Sequence, residues 1–300
     1  MPTLVRLLAG PHDVAAVVTQ PDRPRGRGRK ASPSPVAESA AAAGVPILRP
    51  ERVGDAGSVD ALRALDTDLG VVVAFGQFLP KQVRELPRLG LLVNGHASIL
   101  PLHRGAAPIA HSILAGDTET GVSVMRVERE MDAGPVCQVL KIPIGADESA
   151  GELEERLAET AAEAISSALP EIEAGRVRWT EQDSAAATFA PKLESADGRL
   201  DFRRSAAELA RRVRGLTPRP GTFFLLGGER IRILRAEASK EPAGDAPGVV
   251  RIVDGVLRVA TGTGWLIPLE LQKPGGRPTP SDAFLRGRPI PDGTRLETPE

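Results

Sequence analysis

Three apolar runs in the first hundred residues lack polar alternation: "DVAAVVT" (residues 13–19), "LGVVVAFG" (69–76) and "LLVNGH" (91–96). Each is bounded by turn-forming residues, the pattern of strands covered on both faces. Between them the apolar spacing turns helical, with legible ends. Ser34 can cap a helix that has Pro35 at its first position and Gly44 past its end, and Pro108 can open another that closes before Gly116. Farther on, Ser149 and Glu152 form a capping box, and Leu153, Leu157, Ala161, Ile165 and Leu169 then recur every fourth residue. That spacing predicts one amphipathic helix ending near Pro170. Strands alternating with helices predict a parallel sheet with helices on its faces, and such folds bind ligands beyond the carboxyl ends of their strands. The tripeptide Asn94-Gly95-His96 falls at such an end.

Residues 176–193 are polar and weakly patterned, and are expected to link two domains, at 1–175 and 194–300. The character then changes to short strands and tight turns: "TFFLL", Gly227-Gly228, "RIRIL", then "GVVRIV", Asp254-Gly255, "VLRVA", and "WLIPLELQ". One helix intrudes at "SAAELARRVRG", with Ser205 as cap, Glu208 three residues on and Gly215 as stop. The pattern predicts a small β-barrel after an α/β domain.

Composition narrows the function classes. The chain has 300 residues, enough for a sizeable core, and its 38 basic and 39 acidic residues leave a net charge of -1. Attraction to an anionic partner must therefore come from a local cluster. The single cysteine, Cys137, has no partner for an internal disulfide and lies among Val136, Val139 and Leu140, where burial in a strand is expected rather than nucleophilic chemistry. No secretory leader, membrane-length apolar run, cysteine pair or HExxH-like spacing is present, so a cytoplasmic protein without a metal site is expected. Tyrosine is absent, which argues against an aromatic stacking surface.

Candidate chemistry gathers in "VNGHASILPLHRGAAPI", residues 93–109. Asn94 and His96 are two apart, so on a strand they face one side of the sheet. An amide that can donate to a developing oxyanion, beside an imidazole that can manage a proton, suits acyl-type transfer to an amine; a strand end with backbone-capping side chains reads the same way. Asp132, in "REMDAGPV", precedes a turn and would orient His96 if the fold brought the two together. Ser98, Ile99, Leu100 and Pro101 form a loop able to meet a flat heterocycle with backbone groups. His103 and His111 are read as bystanders.

The basic cluster is "PDRPRGRGRK", residues 21–30, where Arg23, Arg25, Arg27, Arg29 and Lys30 stand against the single acid Asp22. Its Pro/Gly framework excludes a helix or an interior strand. Arginine both pairs with phosphate and stacks on bases, so RNA is the natural partner. Arg203, Arg204, Arg211, Arg212, Arg214 and Arg219 form a second basic scatter near the barrel.

Taken in order, "VVTQPDRPRGRGRK", "VVVAFGQFLP", "NGHASILPLHRGAAPI", "GDTETGVSVM", "MDAGPV" and the later "RGLTPRPGTFF" resemble the methionyl-tRNA formyltransferase family over nearly the whole chain. The resemblance implies a Rossmann-like catalytic domain joined to an OB-like tRNA-binding barrel. It implies formyl transfer from 10-formyltetrahydrofolate to the amino group of initiator methionyl-tRNA; a monomer is expected. By the same resemblance Asn94, His96 and Asp132 match the catalytic trio, Ser98 to Pro101 the folate-contacting loop, and the basic cluster around Arg27 the tRNA acceptor site. Members of that family usually carry a first strand and a Gly-Thr-Pro loop ahead of the helix at which "MPTLVRLLAG" starts. Here a central strand is expected to be lacking or the sheet reorganised. Gly95 replaces a usual aliphatic residue, and Leu102-His103 a common Arg-Trp pair.

Two other readings stand beside this one: another folate-dependent formyltransferase or formylfolate hydrolase with the same Asn/His/Asp site, and a tRNA-binding protein with impaired catalysis.

Overall fold

The computed structural model describes residues 1–25 and 30–297. The chain divides into two compact, discontinuous units. The first comprises Met1–Gly105, Thr120–Ile142 and Glu155–Phe189; the second comprises Ala106–Glu119, Pro143–Glu154 and the chain from Ala190 on. This differs from a contiguous division at 1–175 and 194–300, for identifiable reasons. Helix Pro108–Ala115 packs against helix Ala206–Leu216 so closely that a Cβ at Gly215 would lie 3.1 Å from the Ala110 carbonyl. Residues 176–189 instead bond to the first unit, through a bridge between Val136 and Thr180 and through Thr188.

In the first unit the apolar runs become strands, but shorter and less uniformly parallel than the pattern predicts. Val17–Val18 pairs in parallel with Ile47–Leu48, and Gly70–Val72 pairs in parallel with the start of Leu92–His96. Leu92–His96 then runs antiparallel to Glu119–Arg126, beyond which lies Val136–Pro143. The parallel strands thus fall in two sheets, and Val17–Val18 and Gly70–Val72 are each an edge. Gln20 Nε2 donates to the Phe75 carbonyl at 2.6 Å, tying the segments that follow those edges. The basic cluster forms a β-ribbon, Arg23–Arg25 against Lys30–Ser32, which agrees with the exclusion of helix and interior strand; Arg27 and Arg29 lie outside the described residues.

Helix Ala150–Glu173 corrects the expected stop at Pro170. Proline's fixed φ is itself helical, so its cost is mainly a lost N–H bond and local crowding. Buried Leu169 and Ile172 continue the apolar stripe through it, and the turn closes at Gly175 with φ +64. Gly215 is likewise inside its helix, not its terminator; it is the residue that permits the close approach to Ala110.

The second unit holds the predicted hairpins. Gly227-Gly228 and Asp254-Gly255 all have positive φ, as two-residue turns of this hand require. Strands Thr222–Leu226, Glu229–Ser239, Trp265–Gln272, Val256–Ala260 and Val250–Val253 form one antiparallel sheet in that spatial order. Register shifts between Ile233 and Ala236 curl it in the manner of an OB-like half-barrel. Leu200, Phe202, Leu209, Phe224, Ile231 and Leu266 fill its core. Among the described residues no helix is long and apolar enough to cross a membrane.

Candidate active site

Strand Leu92–His96 delivers Asn94 and His96 to one face, as their spacing requires, with Asn94 opposite Met125 and His96 opposite Ser123 in the register. Gly95 points the other way, where an added Cβ would lie 2.9 Å from Cδ1 of Ile165 on the long helix. Gly95 is therefore what lets that helix press against the strand.

His96 is 6% exposed, and both of its ring nitrogens face oxygen. Nε2 lies 3.0 Å from the His103 carbonyl, which can only accept, so the hydrogen on that nitrogen is assigned by the contact. Nδ1 lies 3.6 Å from Oδ2 of Asp132, an ion-pair separation too long for a hydrogen bond. The same Oδ2 accepts the Gly105 N–H at 2.9 Å. The fold thus brings Asp132 to His96. His103, read as a bystander, contributes its carbonyl instead of its ring.

The half-buried Asn94 amide has no hydrogen-bond partner among the described residues. With the Nε2 hydrogen of His96 already engaged, Asn94 holds the uncommitted donor of the trio. The four loop residues divide similarly. Ser98 is fully buried: its hydroxyl donates to the Leu102 carbonyl, and its own carbonyl accepts from Ser123. Leu100 is buried and donates its N–H to Ser123. Ile99 and Pro101 are left partly exposed. Ser98 and Leu100 therefore shape the loop, and Ile99 and Pro101 present its surface.

Two groups outside that trio carry no legible signal in the sequence. Gln182 donates through Nε2 to the carbonyls of Asp132 and Gly134, and accepts through Oε1 from Arg104. Thr188 Oγ1 accepts from the His103 N–H. Backbone carbonyls have no sequence signature, so nothing in the polar stretch around Gln182 marks its role.

Cys137 is half-buried, and burial pushes its thiol up to about 11, away from nucleophilic use at neutral pH. Among the described residues no cluster of His, Cys, Asp and Glu is placed to hold a metal ion. The C-terminal arginine scatter is largely committed within its own unit. Arg203 pairs with Asp201 and Arg204 with Glu208, while Arg212 donates to the Asp197 carbonyl and Arg214 to those of Gly145 and Glu148. It is not the open basic surface that its composition predicts.

The comparisons with known proteins concern the whole chain. The pattern described as "Formyl transferase" matches residues 4–169, and that described as "Formyl transferase, C-terminal domain" matches residues 192–289. The methionyl-tRNA formyltransferase of Methylococcus capsulatus is 44% identical over 299 residues, covering 99% of this chain and 96% of that protein. The enzyme of the same name from Sinorhizobium fredii is 41% identical over 301 residues, covering 99% and 95%. A solved N-formyltransferase from Helicobacter canadensis, in complex with folinic acid and dTDP-3-aminofucose, shares the fold at a TM-score of 0.65 and 14% identity, covering 89% of this chain and 93% of that one. With two matched domains spanning most of its length and relatives above 40% identity, the chain belongs to the formyl transferase family.

Proposed function

We propose that this chain transfers the formyl group of 10-formyltetrahydrofolate to the amino group of methionine carried by initiator tRNA, in the cytoplasm and as a monomer. The observation that carries the reading is the near full-length identity to enzymes of that name, on a chain whose Asn94, His96 and Asp132 sit together.

The folate supplies the formyl carbon. The site fits such a guest in two respects: the polar atoms of the 98–101 loop are tied inward while Ile99 and Pro101 remain accessible, and the Asn94 donor is unclaimed. Asn94 donates to the formyl oxygen as negative charge gathers there during attack by the amine. His96, with its hydrogen fixed at Nε2, has Nδ1 as the atom able to take up the proton the amine loses; as the bond from the formyl carbon to N10 of the folate breaks, that proton passes to N10 and tetrahydrofolate leaves. The His103 carbonyl holds the ring, and Asp132, facing Nδ1, offsets the charge the imidazolium then carries. No side-chain nucleophile is needed. Arg23, Arg25, Arg27, Arg29 and Lys30 supply the positive charge for the tRNA acceptor end, since arginine both pairs with phosphate and stacks on bases.

The deciding experiment incubates the purified chain with 10-formyltetrahydrofolate and either charged initiator methionyl-tRNA or a nucleotide-linked amino sugar, and follows formyl incorporation. Formylation of the tRNA is expected. Formylation of the sugar alone, release of formate without transfer, or tRNA binding without formylation would each overturn the reading.

A further inference from the structure

Three consecutive residues, His103, Arg104 and Gly105, grip both halves of the His96–Asp132 pair. The His103 carbonyl takes the Nε2 hydrogen of His96, and the Gly105 N–H holds Oδ2 of Asp132. Arg104, between them, is 5% exposed and directs Nε and Nη2 at the side-chain oxygen of Gln182, at 3.0 and 2.8 Å. Gln182 in turn spends both hydrogens of its Nε2 on the far side of the site, donating at 2.8 Å to the Asp132 carbonyl and at 2.7 Å to the Gly134 carbonyl. The turn it holds is a demanding one. Asp132 adopts φ +53, and a Cβ at Gly134 would stand 2.0 Å from the Arg126 carbonyl, so the turn is pressed against the neighbouring strand.

We infer that Gln182 is a positioning residue for formyl transfer, clamping the turn at residues 132–134 to Arg104 so that the Asp132 carboxylate stays in register with His96. Its carboxamide is the right group chemically. It donates twice and accepts twice, and no other neutral side chain but asparagine, one methylene shorter, can bridge two carbonyls and a guanidinium this way. A shift of about 1 Å at such a pair can cost about 10²-fold in rate, so a clamp remote from the substrate acts on turnover rather than on binding.

The inference rests on the proposed role of the Asn94/His96/Asp132 site, and its test separates the two. Gln182→Glu keeps the size of the side chain and the acceptor for Arg104 but removes both donors; Gln182→Met keeps the approximate volume and removes donors and acceptor alike. In full-length protein, kcat is expected to fall about 10- to 100-fold in both, with KM for the tRNA and for the folate changing less than about twofold. The reading also requires non-additivity: combined with Asp132→Asn, either change should lower kcat by less than about threefold further, because the clamp then positions nothing. Unchanged kcat in Gln182→Glu, or the same loss with and without Asp132→Asn, would overturn the inference while leaving the site intact. Full activity in Asp132→Asn would instead overturn the reading of the site itself.

Discussion

Oδ2 of Asp132 lies 3.6 Å from Nδ1 of His96 while accepting the Gly105 N–H at 2.9 Å. One carboxylate oxygen therefore has a fixed backbone donor and faces the imidazole nitrogen left to take up a proton. Asparagine tolerates the left-handed backbone that Asp132 adopts at φ +53 almost as well as aspartate does, so Asp132→Asn removes the charge without refolding the turn. General acid–base assistance contributes about 10²–10⁴-fold, and the loss in single-turnover formylation is expected in that range. Unchanged thermal unfolding would show that the effect is electrostatic.

Asn94 is the trio's member with an uncommitted donor. Asn94→Ala is expected to lower kcat by about 10²–10³-fold, the usual cost of one oxyanion donor, while folate and tRNA still bind. Fluorescence titration with the folate alongside the rate measurement separates the two effects; a rise in KM with kcat intact would assign Asn94 to binding instead.

What could be read from residues alone divides along a physical line. Asn94 and His96 were legible because strand alternation is local, and the Gly227-Gly228 and Asp254-Gly255 turns because positive φ at consecutive positions leaves few residue choices. Pro170 and Gly215 obey the same kind of rule, yet mislead as helix ends. At Pro170 burial of Leu169 and Ile172 outweighs one missing hydrogen bond, and at Gly215 the absence of Cβ serves packing rather than termination. Parallel pairing of the apolar runs was legible, but their antiparallel neighbour was not: a run with Glu119–Arg126 antiparallel on one side reads like one paired in parallel on both. The meeting of Asp132 with His96, across sheet and turn, belongs to the fold and not to any local pattern.

Gly95 gives the packing of strand on helix a direct test. A Cβ at this position would stand 2.9 Å from Cδ1 of Ile165, and Ile165 is fully buried, so neither neighbour has room to yield easily. Replacing glycine stiffens the unfolded chain and so favours folding slightly, but overpacking of this kind costs about 1–3 kcal/mol. Gly95→Val should lower the urea midpoint, and Ile165→Ala should recover part of the loss when combined with it although it is destabilising alone. Additive losses in the double variant would sink the explanation.

The basic cluster makes a prediction about salt. Arg27→Ala should raise KM for methionyl-tRNA with little change in KM for the folate, and should reduce the slope of log affinity against log salt by about one if Arg27 neutralises one phosphate. A substitution that weakened use of the folate as well, or left the salt slope alone, would refute a tRNA-binding role for Arg27.

The cap of the long helix predicts a pH-dependent stability. Ser149 Oγ donates to Oε2 of Glu152 at 2.7 Å, the Ser149 N–H donates to the same oxygen at 2.8 Å, and the Glu152 N–H returns to Ser149 Oγ at 3.3 Å. The serine hydroxyl first, and its N–H second, hold the Glu152 carboxyl below its ordinary value of 4.5. A carboxyl depressed on folding stabilises the native state above its unfolded value and loses that contribution as the pH falls through the folded one. Ser149→Ala should therefore cost about 1 kcal/mol near neutrality, as loss of a cap usually does, and the gap from the parent chain should narrow once the pH drops below about 4.5. Glu152→Gln, which has no charge to titrate, should show a cost relative to the parent that fades over the same interval. Chemical denaturation of the three proteins at about pH 7 and about pH 3.5, on either side of the ordinary carboxyl range, measures both trends, and a gap that stays constant between them would mean that the carboxylate takes no part in the cap.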